Sequence, residues 1–160
     1  MQPVVKALMC LRGFGLVVAM GTVAEIGDAR RFDHPRQMMG FLGLVPSEHS
    51  SGTSRRQGGI TRTGNPHARW LLCEAAIHYR MSPKVSRALG ARQDGQPVFA
   101  RQIGWKAQQR LHGRWRRLAA RRLHAGKLQT AIARELSGFV WDLMGQALAR
   151  LPEEMEKPKV

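Results

Sequence analysis

The sequence predicts an all-α fold for this 160-residue chain. Apolar residues recur at intervals of three and four over most of its length, which is the spacing of one helical face. Glycine and proline interrupt these stretches at positions typical of helix ends. No stretch shows the apolar–polar alternation that indicates a half-buried strand. The length and the 43% hydrophobic content suffice for one domain, which we assign to residues 1–150, followed by a polar tail at 151–160.

The first element, residues 4–27, is predicted to be two short helices joined by a glycine hairpin. Gly13 and Gly15 break the helical pattern, and Gly27 is placed to end the second helix. The element is similar to a helix-hairpin-helix, in which backbone N–H groups hold a phosphate without reading base sequence. We therefore predict that Gly13 and Gly15 contact nucleic acid. A plain turn between two helices is the alternative.

The second element is a short helix that begins near Pro35. A long loop rich in serine, glycine and arginine follows at 46–65, and no acidic residue occurs from His49 to Cys73. Long loops without secondary structure in compact chains are usually functional or disordered. Asn65 is then placed as the N-cap of the next helix, with proline at its first position. That helix is predicted to reach about Arg80.

The C-terminal half begins with a predicted connection, 82–97, that contains about one turn of helix. A long amphipathic helix follows, with Leu111, Trp115 and Leu118 on its apolar face. Its opposite face carries a basic stripe, which consists of Lys106, Arg110, Arg114, Arg117 and Arg121. Since no Asp or Glu occurs between Asp94 and Glu135, the stripe has no acidic neighbours in sequence to neutralise it. The last helix is predicted to start after Gly126 and to anchor the core.

The charge of the chain indicates a polyanionic partner. Its 26 Lys and Arg against 11 Asp and Glu give a net charge of +15. Basic groups bind nucleic acid because they release the counterions condensed on its phosphates. An acidic membrane surface is the competing interpretation, but no apolar run approaches the roughly 18 residues of a membrane span. Without a signal-peptide pattern, we expect a cytoplasmic protein with no membrane partner.

The two cysteines, Cys10 and Cys73, have no metal-binding spacing and suggest no disulfide framework. Their small number fits a reducing compartment. We predict that they are small buried apolar residues rather than functional thiols. The histidines and carboxylates form no pattern with ligand spacing, so we predict no metal site on this chain.

The long loop carries the candidates for chemistry. Ser50 and Ser51 directly precede a glycine, and a serine hydroxyl attacks a phosphodiester when a base or metal assists it. Arginines can stabilise charge on the phosphoryl oxygens. The candidate phosphate contacts in this segment are Arg55, Arg56, Arg62 and Arg69. Loops of this composition also bind phosphates without catalysis, and a basic stripe is often only a solvated helix face, so both alternatives stay open.

The order of these segments resembles one family over nearly the whole chain. The segments are LRGFGLVVAMGTVAEIGDARRF, GFLGLVPSEHSSG, RRQGGITRTGNPHARWLLCEAA, IGWKAQQRLHGRWRRLAARR and AIARELSGFVWDL. Together they resemble the C-terminal domain of the bacterial insertion-sequence transposases called IS-one-ten, with their IS-one-sixteen and IS-nine-oh-two relatives. The stretch from Gly43 to Ala76 is the most specific part of the resemblance.

The resemblance implies a DNA transposase with a serine nucleophile, which falls on Ser51, with Ser50 as second choice. It implies a composite site, in which a nuclease-like N-terminal domain with an Asp-Glu-Asp-Asp set binds magnesium. It also implies a covalent phosphoserine intermediate, a guide non-coding RNA, element-end and target DNA as partners, and a homo-oligomer in the bacterial cytoplasm. Thr61, Gly64 and Asn65 match the end of the family's loop and are expected to be structural.

This sequence departs from the family pattern because it contains no nuclease-like domain. We therefore expect magnesium to bind outside this chain and the chain alone to be inactive. It would then be a remnant of a decayed element, a fragment of a longer reading frame, or a partner that completes another chain's site. The alternative function is a non-catalytic DNA- or RNA-binding module. A third possibility is a chain that folds poorly because apolar interfaces are exposed.

Overall fold

A computed structural model describes residues 2–51 and 54–155, except for the side chains of 48–51, 54–58 and 151–155. These residues are mostly helical, which confirms the all-α class. The helices are α1 (Gln2–Leu8), α2 (Leu16–Ile26), α3 (Pro35–Phe41), α4 (Pro66–Ala76), α5 (Arg87–Gln93), α6 (Val98–Ala120) and α7 (Ala125–Met155). Short 3-10 helices cover Ala29–Arg31 and Ile77–Arg80, and the strands are β1 (Pro46–Ser51) and β2 (Ser54–Ile60).

The core is organised around α7, which contacts α1, α3, α4 and α6. Leu136, Val140 and Leu143 of this helix are fully buried. Helix α7 is thus the core anchor that its apolar spacing predicts. It continues to Met155, so the first half of the predicted polar tail is helical, and residues 156–160 lie outside the described part of the chain.

Helix α1 ends at Leu8, several residues before the predicted break at the glycine hairpin. The reason lies in distant side chains. Arg92 Nε donates to the carbonyl of Met9 at 3.1 Å, and Gln93 Nε2 donates to the carbonyl of Cys10 at 3.0 Å. These bonds from the end of α5 satisfy two carbonyls that have no partner within α1.

The predicted ends of α2 and α4 are confirmed. Gly27 ends α2 with φ of 67°, a conformation that favours glycine. Asn65 Oδ1 accepts a hydrogen bond from the Ala68 N–H at 2.9 Å, and Pro66 occupies the first position of α4. The helical path reaches Arg80 as predicted, but its last turn is a 3-10 helix.

The C-terminal half is more helical than predicted. The connection at 82–97 contains α5, of seven residues, whose N-cap Ser86 accepts a bond from the Leu89 N–H. Helix α6 begins at Val98, well before the basic stripe. Leu111 and Leu118 are buried on its apolar face, as the spacing predicts.

The long loop is the main correction to the predicted fold. Strands β1 and β2 form an antiparallel hairpin, in which Pro46 pairs with Ile60 and Ser51 pairs with Ser54. The register shifts between Pro46 and Glu48, so β2 contains an extra residue near the hairpin base. The expectation of no strand was wrong because backbone N–H and C=O groups hold the two strands together, without apolar alternation in the sequence.

No helix in the described ranges is both long enough and apolar enough to cross a membrane.

Candidate nucleic-acid interface

The glycine hairpin between α1 and α2 has a packing function. Gly13 has φ of +84°, and a Cβ there would lie 2.6 Å from the Ala75 carbonyl oxygen of α4. Gly15 is the N-cap of α2, and a Cβ there would meet no atom within 4 Å. Both glycines line an open cavity of about 710 Å³. Contact with α4 therefore explains Gly13 fully, and phosphate contact by either glycine stays a prediction.

Arg12, beside this hairpin, is a structural residue that the sequence analysis missed. Its Nη1 donates to the carbonyls of Met81 at 2.8 Å and Ser82 at 3.0 Å, and its Nη2 donates to the Lys84 carbonyl at 2.8 Å. Partial burial lowers the pKa of Arg12 from its ordinary value. The guanidinium holds the connection that follows α4 against the N-terminal element. The partners are some 70 positions away in the sequence, so no local signal points to this contact.

The basic stripe lies on the side of α6 away from its buried residues, and Lys106, Arg117 and Arg121 are exposed. The stripe has no acidic neighbours in sequence, but it has an acidic partner in space. Arg110 Nε donates to Glu135 Oε2 at 3.1 Å, and Arg114 Nε lies 3.1 Å from Glu135 Oε1. The second contact is an ion pair without hydrogen-bond alignment.

The acidic partner comes from α7, which lies beside α6 in space although Glu135 is distant in sequence. Such exposed pairs contribute about 0–1 kcal/mol each to stability. Within the described part of the chain, no carboxylate pairs with Lys106, Arg117 or Arg121. The predicted stripe is therefore reduced to three cations that can meet phosphates at little cost.

The candidate nucleophiles lie at the end of β1 next to the hairpin turn. Ser51 pairs with Ser54, Ser50 pairs with Arg55, and His49 pairs with Arg56. The pairing brings Arg55 and both serines to the same end of the hairpin. The side chains of these residues lie outside the described part, so their predicted roles stay predictions. From Pro46 to Ser51 the strand extends roughly 17 Å, at about 3.3 Å per residue.

Arg69, on α4, supports the base of the hairpin. Its Nη1 donates to the Leu42 carbonyl at 2.8 Å. Gly43 has φ of +64°, and a Cβ there would lie 2.7 Å from the same Nη1. This bond gives Arg69 a structural role that the sequence did not indicate, and its predicted phosphate contact stays a prediction.

Arg62 lies just after β2 in an unusual conformation. Its φ is 57°, in the left-handed region, which residues other than glycine, asparagine and aspartate rarely adopt. Its N–H donates to the Gly43 carbonyl at 3.2 Å, and its side chain is exposed. Arg62 also lines a second cavity, between the hairpin base and α7.

A carboxylate joins α2 to the start of α4, and the sequence analysis missed it. Glu25 Oε2 accepts from Asn65 Nδ2 at 2.6 Å, and Glu25 Oε1 lies 2.6 Å from His67 Nδ1. The His67 ring stacks on Trp70 with centroids 6.0 Å apart. The hydrogen bonds from His67 and then Asn65 lower the pKa of Glu25 below its ordinary value. This contact fixes the residues through which the chain leaves the hairpin.

The cysteines occupy unreactive positions. Cys10 is fully buried, as predicted, and burial raises the pKa of its thiol to about 11. Cys73 is half-buried, and burial also raises its pKa. Among the described residues, no three His, Cys, Asp or Glu side chains are grouped as a metal site requires. These residues therefore do not fit a magnesium ion.

Comparison with known proteins identifies the family of this chain. A model of the transposase IS116/IS110/IS902 family matches residues 5–90, which include the glycine hairpin, the β-hairpin and α4. The chain belongs to this transposase family. The family predicted from the sequence is thereby confirmed.

Individual relatives agree with this family assignment. A Sinorhizobium fredii protein named as a candidate transposase is 45% identical over 90% of this chain and 37% of its own length. The transposase for insertion sequence element IS1111A of Coxiella burnetii is 41% identical over 44% of this chain and 20% of its own length. The chain therefore spans well under half the length of these transposases.

Proposed function

We propose that this chain is the serine-bearing part of a DNA transposase, with Ser51 as the nucleophile. The observation that carries the proposal is the position of Ser51 at the outer end of a basic hairpin, in a member of a transposase family. A two-stranded ribbon of this kind can approach a DNA backbone while the helical core supports its base. Ser50, one residue earlier, is the second choice.

The proposed reaction is a transesterification. The Ser51 hydroxyl gives up its proton to a base of the assembled site, and its oxygen forms a bond to the phosphorus of a DNA phosphodiester. The bond from that phosphorus to one deoxyribose oxygen breaks, and this oxygen takes up a proton. Arg55 and Arg56 are proposed to stabilise the phosphoryl oxygens during the exchange. The number of phosphodiester bonds is conserved, so a later attack can rejoin the DNA.

The assembled site needs partners. We propose that a nuclease-like domain supplies the Asp-Glu-Asp-Asp set and its magnesium, and that a guide RNA and further copies of the chain complete the complex. The described residues contain no metal cluster, so no step of the proposed reaction uses a metal held by them.

The test is an incubation of element-end DNA with this chain and a separately supplied nuclease-like domain. We expect a DNA–protein adduct that survives denaturation, that disappears in Ser51→Ala, and that persists in the matched control Ser50→Ala. The reverse pattern would move the nucleophile to Ser50. An adduct that persists in both variants would contradict the serine mechanism.

A non-catalytic nucleic-acid-binding module is the second candidate function. The observation that favours it is the group of exposed cations on α6, which needs no catalytic partner to bind phosphates. It predicts affinity for duplex DNA that falls with salt by about 0.9 in log units per phosphate neutralised, with no adduct under any combination.

The stripe allows an internal comparison for this second function. Lys106→Ala and Arg117→Ala should flatten the salt dependence, because these cations have no described ion-pair partner. Arg110→Ala should flatten it less, because Glu135 already faces this arginine. An equal effect at all three positions would show that pairing with Glu135 does not matter for binding.

A further inference from the structure

A basic cavity lies between the base of the hairpin and the start of α7. Its volume is about 740 Å³, and its basic lining residues are Arg62, His124, Lys127 and Arg134. Thr130 also lines it, with its hydroxyl donating to the Gly126 carbonyl at 2.8 Å. Among the described residues that line it, there is no carboxylate. The remaining walls come largely from the hairpin base and from Leu44. A cavity with this lining favours an anion over any other small ligand.

The α7 side of the basic cavity is one continuous helical face. Lys127, Thr130 and Arg134 follow at i, i+3 and i+7, so their side chains project from the same side of the helix. His124 precedes the helix, and its Nδ1 accepts a bond from the Gly126 N–H at 3.2 Å. A neutral His124 ring that accepts at Nδ1 carries its proton on Nε2, which makes the outer nitrogen a hydrogen-bond donor.

The opposite wall contains the strained residue Arg62. A left-handed backbone conformation is costly for arginine and free of steric cost for glycine. Strained residues cluster at functional sites, and this one lines the cavity. A glycine would serve the turn better, so the turn alone does not account for the side chain.

We propose that the basic cavity binds one backbone phosphate of a DNA strand that runs along the hairpin. Arginine and lysine side chains are common donors to DNA phosphates, and such contacts set the register of a protein on the duplex. The cavity is roughly 17 Å from Ser51 along β1, which corresponds to about five base pairs at 3.4 Å per step. The phosphate at the cavity would thus fix which phosphodiester reaches the serine. This inference rests on the proposed function for the identity of the partner as DNA.

The first test uses the unmodified chain and a probe with a single phosphodiester, the dinucleotide thymidylyl-thymidine. In amide NMR spectra we expect its addition to shift the signals of Gly59, Gly126 and Lys127, which line the cavity. Thymidine, which has no phosphate, is the matched ligand and should leave these signals in place. Equal shifts with both ligands, or shifts only elsewhere, would overturn the proposal.

The second test compares two triple variants that each remove three positive charges. Arg62→Gln, Lys127→Gln and Arg134→Gln alter the cavity, whereas Arg36→Gln, Arg80→Gln and Arg87→Gln alter exposed arginines that do not line it. The cavity variant should lose about tenfold more affinity for a short duplex than the control, with a log–log salt slope smaller by about 0.9. Equal losses in the two variants would overturn the proposal.

Arg62→Gly separates binding from folding. The variant should melt at the same temperature as the parent or higher, since it relieves the left-handed strain, and should still bind duplex DNA more weakly. A variant that binds as well as the parent would remove Arg62 from the site.

The partner and the serine chemistry are tested separately. If the cavity variant loses affinity for a single-stranded RNA and keeps its affinity for a DNA of the same length, the assignment to DNA is wrong. The binding tests use variants of the cavity, and the adduct test uses variants of the serines. If no adduct forms, the serine assignment fails and the binding experiment still tests the cavity. If the cavity variants bind DNA as the control does, the cavity proposal fails and the adduct experiment still tests Ser51.

Discussion

At the scale of single residues, charged groups in this protein are governed by partners that are distant in sequence. Arg110 and Arg114 belong to a run without acidic neighbours, yet both face Glu135 of α7. Glu25 likewise meets Asn65 and His67 across the α2–α4 contact. The charge pattern predicted a phosphate-binding surface, but only the packing of helices decided which cations are left for it.

The Glu25 contact predicts a pH dependence of stability. Because the folded pKa of Glu25 lies below its ordinary value of 4.5, the unfolded chain binds the proton more tightly. The stabilisation is therefore complete above pH 4.5 and is lost as the pH falls through the lowered folded pKa. We expect Glu25→Gln to unfold more easily than the parent at neutral pH in urea titrations.

The same titrations contain their own control. The difference in unfolding free energy between Glu25→Gln and the parent should shrink as the pH falls from 4.5 through the lowered folded pKa, where the carboxylate of the folded parent becomes protonated. A difference that stays constant down to pH 2 would contradict the role of the Glu25 charge.

At the scale of elements, helix ends were predictable and the hairpin was not. Asn65 and Pro66 marked the start of α4 because a cap oxygen and a fixed proline φ act locally. The sequences of β1 and β2 do not alternate between apolar and polar residues, so they contain no periodic signal that predicts a strand. Their base is instead tied by backbone bonds, from the Thr61 N–H to the Val45 carbonyl and from the Arg62 N–H to the Gly43 carbonyl.

The cap of α4 can be separated from its contact with Glu25. Asn65→Ala should destabilise the protein by about 1 kcal/mol from loss of the cap, and further from loss of the bond to Glu25. Asn65→Ser keeps a good cap oxygen and loses only the donor to Glu25. Thermal denaturation of both variants measures the difference. Equal destabilisation by Ala and Ser would mean that the cap contributes nothing.

At the scale of the whole molecule, α7 joins the N-terminal and C-terminal halves into one core. It contacts helices from both halves, so the described residues should unfold together. Leu136→Ala should destabilise by about 2–5 kcal/mol, because it opens a cavity at a fully buried position. The measurement is urea unfolding followed by both circular dichroism and tryptophan fluorescence, which should give coincident transitions.

The matched control for this core substitution is Leu123→Ala, between α6 and α7. Leu123 is 40% exposed, so its truncation should have a much smaller effect than that of Leu136. Two separate transitions in the parent protein would contradict a single core built on α7.

Local chemistry was enough to predict the helical class, the ends of α2 and α4 and the apolar face of α6. These features depend on neighbours three or four residues away, so the printed sequence contains them. The pairing of residues 46–60, the bonds of Arg12 and Arg69, the acidic partner of the stripe and the basic cavity depend on groups brought together from distant positions. Packing around α7 decides these contacts, because burial of apolar surface determines which helices lie against each other. The polar side chains of neighbouring helices then pair with the groups that face them.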